Sequence, residues 1–388
     1  MRLVLAILLS LLLLACSSNT SLSLTNSDTQ RDDGWPTTTL DESGFDLVKM
    51  QQLTQRLESG WHPNAHMVLV AYRGKLVYEK YLSGDDESWG VPVGHREFDE
   101  NSLHDLRSIS KSVTSLLLGI ALGDDFEAAL SRPIIEYFPE FAEQVADGVE
   151  RVTLHHVLTM SAGFEWNEME VPYSNLNNDE RRMYRVADPV QYVLSKPLYS
   201  EPGERWYYNV GMTMVIAALI EKISGQPFLE FAHEKLNAPL GISEEYVEWR
   251  GLGIWRSRTS LPSAASGLRA RIRDLAKIGA LMLNDGRWQG QQLVSREWVR
   301  LSSQRHTEQT FPNWSLDGIY GYGYQWWPAD FRGEYGEFRA LAGVGYGGQR
   351  LFVIPEKDMV VTIFAGNYGN GIWRMSEQVL AEIVAAAP

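Results

Sequence analysis

The chain has 388 residues, 44% of them hydrophobic and 22% charged, enough to build one large or two interlocked globular domains. Its 49 acidic against 35 basic side chains leave a formal charge of −14, which excludes a nucleic-acid-binding surface, since such surfaces are basic. A single cysteine excludes internal disulfides.

Met1-Arg2 sets a positive charge before an apolar run over 3–14, and Ala15-Cys16 follows at once. This reads as a secretory signal, too short to span a membrane as a helix. Leu13-Leu14-Ala15-Cys16 resembles a bacterial lipobox, in which the cysteine becomes lipidated and forms the mature N-terminus. Residues 1–15 are therefore assigned to a lipoprotein signal peptide and Cys16 to the lipid anchor. The expected location is the outer membrane, facing the periplasm. Residues 16–40 are polar and aperiodic and read as a flexible tether.

Helical spacing follows over 45–57. A strand is predicted over 66–71, a turn at Tyr72-Arg73-Gly74-Lys75 and a return strand over 76–81. A loop rich in glycine, aspartate and proline over 83–94 leads to the segment 106–120. There Ile109, Val113, Leu116, Leu117 and Ile120 recur at helical spacing. Ser108 and Lys111 are three apart, so on a helix they share one face, a turn from each other. A serine hydroxyl is a poor nucleophile until a base stands within hydrogen-bond reach, and a lysine in apolar surroundings can be that base. Ser108-Ile109-Ser110-Lys111 is the only Ser-x-x-Lys in the chain. The competing reading of Ser108 is an ordinary helix cap.

Helices and loops dominate 133–241, including a short helix over 154–160 and a strong apolar helix over 212–223, and a further helix spans 267–284. Strands return with the alternating aromatic run Tyr320-Gly321-Tyr322-Gly323-Tyr324-Gln325-Trp326-Trp327, then over 338–343, 350–354 and 359–364; a helix over 372–386 closes the chain. The expected fold is α+β, with an antiparallel sheet flanked by helices. Its sheet domain is built from 41–120 and 265–388, and 121–264 form a mostly helical inserted domain.

Pro202-Gly203-Glu204-Arg205-Trp206-Tyr207-Tyr208-Asn209-Val210-Gly211 offers a Tyr-x-Asn before an apolar helix. Tyr173-Ser174-Asn175 and Tyr368-Gly369-Asn370 have the same spacing without the Pro-Gly lead-in, so Tyr207 and Asn209 are preferred. The competing reading is a buried aromatic with a capping asparagine. No Gly-x-Ser-x-Gly elbow and no His-Glu-x-x-His site occur, so neither a metal nor a cofactor is expected.

Three further stretches complete an ordered set: Thr153-Leu154-His155-His156-Val157-Leu158-Thr159-Met160-Ser161-Ala162-Gly163, Ser266-Gly267-Leu268, and Gly345-Tyr346-Gly347-Gly348-Gln349. With them the chain resembles the serine β-lactamase-related superfamily, which includes class C β-lactamases, DD-peptidases, β-lactamase-like esterases and 6-aminohexanoate-dimer hydrolases. The resemblance implies a β-lactamase/DD-peptidase-like fold and an acyl-enzyme mechanism on small esters or amides. It makes Ser108 the nucleophile, Lys111 its partner, Tyr207 the proton relay and Asn209 a substrate-orienting amide. The third motif falls on Gly343-Val344-Gly345, with the backbone N–H of Tyr346 as the second oxyanion donor beside that of Ser108. Gly343 stands where relatives carry a cation for the β-lactam carboxylate, and Arg339 or Arg350 is left to replace it. The alternatives are a penicillin-binding-protein-like peptidase or β-lactamase, and a catalytically silent ligand-binding lipoprotein.

Overall fold

The computed structural model describes residues 34–252, 261–307, 318–333, 336–369, 371 and 374–388. The first helix, α1 (Leu47–Glu58), begins where the Asp46 carboxylate accepts from the backbone N–H groups of Val48 and Lys49, and it buries Met50, Leu53 and Leu57. Strands β1 (Ala65–Tyr72) and β2 (Lys75–Tyr81) form the expected hairpin. Arg73 and Gly74 both have positive φ, at 50° and 73°, as a two-residue hairpin turn requires.

The segment expected to be a loop is a second hairpin, β3 (Ser83–Ser88) and β4 (Val91–Glu97), turning at Trp89 and Gly90. It was missed because both strands are polar, and polar strands carry no hydrophobic alternation to read. A two-residue strand, β5 (His104–Asp105), then leads into helix α2 (Ile109–Leu122). Helices α3 (Phe126–Ser131), α4 (Leu154–Leu158), α5 (Asp179–Met183), α6 (Pro189–Leu194), α7 (Val210–Ser224) and α8 (Phe228–Ala232) follow. Strands β6 (Val247–Trp249) and β7 (Leu268–Ala270) pair with β5 in the order β5-β7-β6. Beyond them lie helix α9 (Ile272–Leu283), the short pair β8 (Arg287–Trp288) and β9 (Gln291–Gln292), and helix α10 (Arg296–Ser302).

Strands β10 (Gly318–Tyr320), β11 (Trp327–Gly333), β12 (Gly336–Gly345), β13 (Gln349–Ile354) and β14 (Met359–Ala365) complete the main sheet, and helix α11 (Met375–Ala386) ends the chain. The order is β10-β11-β12-β13-β14-β1-β2, antiparallel throughout, so strands from both ends of the chain share one sheet. β1, β13 and β14 are buried along their whole lengths, because α9 covers one face and α2 and α11 reach the other elements around them. The fold is mixed α and β with an antiparallel sheet, as the sequence predicts.

The aromatic run over 320–327 is not one strand. Gly323 donates to the carbonyl of Trp326 in a tight turn, and Gln325 takes a φ of 63°. A Cβ on Gly323 would stand 2.1 Å from the carbonyl oxygen of Ser302 at the end of α10, so the close approach requires glycine. Alternating aromatics here pack a bend, not a pleat.

Candidate active site

Ser108 immediately precedes α2, and its side chain makes no capping bond, so the ordinary-cap reading fails. It follows Arg107, which has a φ of 51°, a left-handed conformation that a non-glycine residue keeps only when its surroundings enforce it. Here they do. The Arg107 guanidinium pairs with Glu87 of β3 at 2.9 Å and Asp105 of β5 at 3.3 Å, and lies 4.8 Å from the centre of the Tyr368 ring. From below, the Arg107 carbonyl accepts from Ser110 Oγ at 2.6 Å, and the backbone N–H of Leu106 donates to Leu268 of β7 at 2.9 Å.

Lys111, one turn into α2, is 1% exposed. Its ammonium donates to Ser108 Oγ at 3.1 Å and to the carbonyl of Ala265 at 2.8 Å. It lies 4.8 Å from the centre of the Tyr208 ring, a cation–π distance. Ser108 itself is half-buried.

Tyr207 is not brought to Lys111. Its hydroxyl accepts from the backbone N–H groups of Glu168 and Met169, both at 3.3 Å, and donates to the Glu170 carboxylate. Burial and the Glu170 bond push its pKa up to about 12. It lines a surface recess of about 380 Å³ with Arg205, Tyr199 and Trp166. The reason is geometric: the chain runs extended into α7, and successive side chains in extended backbone point to opposite sides. Of two adjacent tyrosines, only one can face the lysine. That one is Tyr208, 8% exposed and stacked on Trp327 at 6.1 Å between ring centres.

Asn209 caps α7, its side-chain oxygen accepting from the N–H of Gly211 at 2.8 Å, and is 4% exposed. The capping reading describes its contacts. Tyr173 donates to Glu168 Oε1 at 3.0 Å and takes no part in the Lys111 contacts. His155 and His156 are structural: the first meets Tyr324 Oη at 2.9 Å, and the second closes a capping box with Thr153.

The third motif ends β12. A Cβ on Gly345 would stand 2.3 Å from the carbonyl oxygen of Leu106, so this strand end lies directly against the segment that delivers Ser108. Gly343 faces Ile109, the next residue along that segment; a Cβ there would stand 3.3 Å from Ile109 Cγ2. The turn through Tyr346, Gly347 and Gly348 is braced by Gln349, whose amide bonds both backbone groups of Ala365, at 2.6 and 3.1 Å. Neither arginine stands in for the missing cation. Arg339 is on the surface, paired with Glu356 at 2.7 Å. Arg350 is 2% exposed and donates to the carbonyls of Gly345 and Gln349 at 3.1 and 2.9 Å, bracing the backbone of the turn.

Two acidic residues near Lys111 were not foreseen. Glu168, 1% exposed, accepts from the N–H of Val210 at 2.9 Å, from Trp166 Nε1 at 2.8 Å and from Tyr173 at 3.0 Å. It ties the preceding loop to the N-terminus of α7, where a carboxylate is favoured. Burial raises its pKa, opposed by the charge of Lys111. Glu180 is pushed up to about 8 by burial and by the charge of Glu168. Both sit in stretches with no periodicity or motif to mark them. Cys16 lies outside the described residues, and among the described residues no helix is long and apolar enough to cross a membrane.

Comparison with known proteins identifies the family. The 6-aminohexanoate-dimer hydrolase of Paenarthrobacter ureafaciens is 28% identical over 327 residues, covering 81% of this chain and 75% of that protein. Esterase EstB of Burkholderia gladioli is 28% identical over 185 residues, 46% of this chain and 45% of the esterase. Among solved structures, the octameric penicillin-binding protein homologue from Pyrococcus abyssi superposes with a TM-score of 0.58 at 19% identity, over 86% of this chain and 76% of that one. The Beta-lactamase family matches residues 51–382, so this chain belongs to that family, whose members are serine hydrolases.

Proposed function

We propose that the protein hydrolyses small esters or amides through an acyl-enzyme on Ser108. The observation that carries this reading is the buried Lys111 ammonium 3.1 Å from Ser108 Oγ, with the Tyr208 ring against it. Ser108 Oγ attacks the carbonyl carbon as its proton passes to Lys111 in its uncharged amine form, which hands a proton on to Tyr208. The backbone N–H groups of Ser108 and Tyr346 receive the oxyanion. Collapse expels the alcohol or amine, which takes its proton from Tyr208. Water then attacks the acyl-enzyme by the same steps in reverse. Tyr208 takes the role that the spacing argument gave to Tyr207, because it is the tyrosine in contact with Lys111. Asn209 is left as the cap of α7, its position fixed and its substrate contact unneeded by this scheme.

The substrate class follows from the charges around Ser108. Gly343 supplies no cation, Arg339 and Arg350 are committed elsewhere, and Glu168 and Glu180 are the nearby acids. An anionic β-lactam loses a charge-assisted hydrogen bond here, a cost of roughly 1.5–3 kcal/mol. A short-chain p-nitrophenyl ester should therefore exceed nitrocefin in kcat/KM by at least about tenfold. Equal or faster β-lactam turnover in the same assay would overturn the preference and favour the penicillin-binding-protein-like alternative.

We also propose that the protein is exported and held on a membrane through lipidated Cys16. The signal-like run before it and the absence of any second cysteine support this. The full-length protein should sediment with membranes, and Cys16→Ser should release it. Equal membrane partition of that variant would refute the anchor.

A further inference from the structure

Three buried side chains from three segments meet at the start of β5: His66 of β1, Asp86 of β3 and His104 of β5, with exposures of 0, 3 and 0%. Their ligating atoms all lie within 4.8 Å of one another. His66 Nδ1 faces His104 Nε2 at 2.9 Å, and Asp86 Oδ1 stands 3.5 Å from His104 Nε2.

The neighbours settle which nitrogens carry hydrogen. The Asn64 amide is oriented by Asp85: its Nδ2 donates to the Asp85 carbonyl at 2.9 Å and its Oδ1 accepts from the Asp85 N–H at 3.0 Å. That Oδ1 faces His66 Nε2 at 3.2 Å, so Nε2 is the protonated nitrogen and Nδ1 carries a lone pair. His104 Nδ1 faces the carbonyl of Asp105 at 3.1 Å, so in the neutral ring His104 Nε2 carries a lone pair too. Two lone pairs thus point at each other across 2.9 Å, beside a carboxylate oxygen, Asp86 Oδ1, that has no hydrogen-bond partner among the described residues. Such an arrangement repels itself unless a proton or a metal cation is shared between them.

We propose that His66, His104 and Asp86 bind a divalent metal ion of the zinc class. A zinc ion bonds imidazole nitrogen at roughly 2.0–2.1 Å, which places tetrahedral ligand atoms about 3.3 Å apart, between the 2.9 and 3.5 Å that separate His104 Nε2 from His66 Nδ1 and Asp86 Oδ1. Each histidine donates its other N–H to an oxygen, and Arg96 holds Asp86 Oδ2 at 3.0 Å; these are the outer contacts that orient metal ligands. The rings are fixed by stacking, His66 on Phe98 at 4.3 Å and His104 on Phe364 at 4.9 Å. A Cβ on Gly84 would stand 2.6 Å from His66 Nε2, so glycine there leaves the ring its place. The ion acts as a clamp: it joins β1 and the β3–β4 hairpin to β5, four residues before the nucleophile. This departs from the metal-free expectation, since the ligands have no motif spacing.

The test uses full-length protein in detergent, purified without chelator, stripped with EDTA and re-equilibrated separately with zinc and cobalt. Elemental analysis should give about one zinc per chain. Cobalt should give visible ligand-field absorption, and zinc should raise Tm, as any ligand held only by the folded state does. Asp86→Asn and His66→Gln should abolish the absorption and the zinc-dependent rise. If either variant fails to fold, the wild-type zinc stoichiometry, cobalt spectrum and zinc-dependent Tm still decide. Wild-type protein that takes up no stoichiometric metal and shows the same Tm with and without zinc would overturn the site, leaving a proton shared between the rings.

Discussion

Ser108→Ala is expected to lower kcat by about 10⁴-fold or more, with only oxyanion donors and substrate binding left to act. Folding should survive, because the hydroxyl caps nothing and its recorded partner, Lys111, keeps the Ala265 carbonyl and the Tyr208 face. The check is paired: steady-state kinetics on a p-nitrophenyl ester, and peptide mapping of a fluorophosphonate-treated wild-type sample. A label on any serine other than Ser108, or a variant within tenfold of wild type, would refute the assignment.

The second large effect separates two neighbours. Tyr208→Phe removes the hydroxyl of the ring that stands against Lys111 and should cut kcat by roughly 10²–10⁴-fold, the usual worth of a positioned acid–base group. Tyr207→Phe removes a hydroxyl engaged with Glu168, Met169 and Glu170, and should leave kcat within a few-fold. Measuring both across pH gives a further discriminant, since only loss of the relay should alter the shape of the profile. The opposite pattern, with Tyr207→Phe the inactive one, would restore the Tyr-x-Asn spacing as the guide.

That spacing shows where the sequence was legible. Ser108 and Lys111 could be read because a helix turns a spacing of three into a contact, and the apolar run announces the helix. The tyrosines could not, because a side-by-side pair entering a helix in extended backbone is resolved only by which face meets the sheet. Sheet strands built on continuous apolar runs, β1, β13 and β14, and the apolar half of β12, were legible nearly to their ends. The β3–β4 hairpin was not, since its residues are chosen for charge contacts with Arg107 and Arg96 and carry no apolar stripe. The buried cluster of His66, Asp86 and His104 was invisible for a related reason. Its members come from three strands, and only folding gives their separations meaning.

The hydrogen bonds around α2 have a consequence for timing during synthesis. Lys111 and Thr114 are held by the carbonyls of Ala265 and Ala264, 154 and 150 residues downstream, and Ser110 by the N–H of Leu268, 158 residues downstream. A nascent chain that has not yet extended past these residues contains Ser108 and Lys111 but none of these downstream backbone groups, two carbonyls and one N–H, that hold α2 in place. The Ser108–Lys111 arrangement is therefore a property of the finished polypeptide, absent until the later half of the chain has been made and has docked.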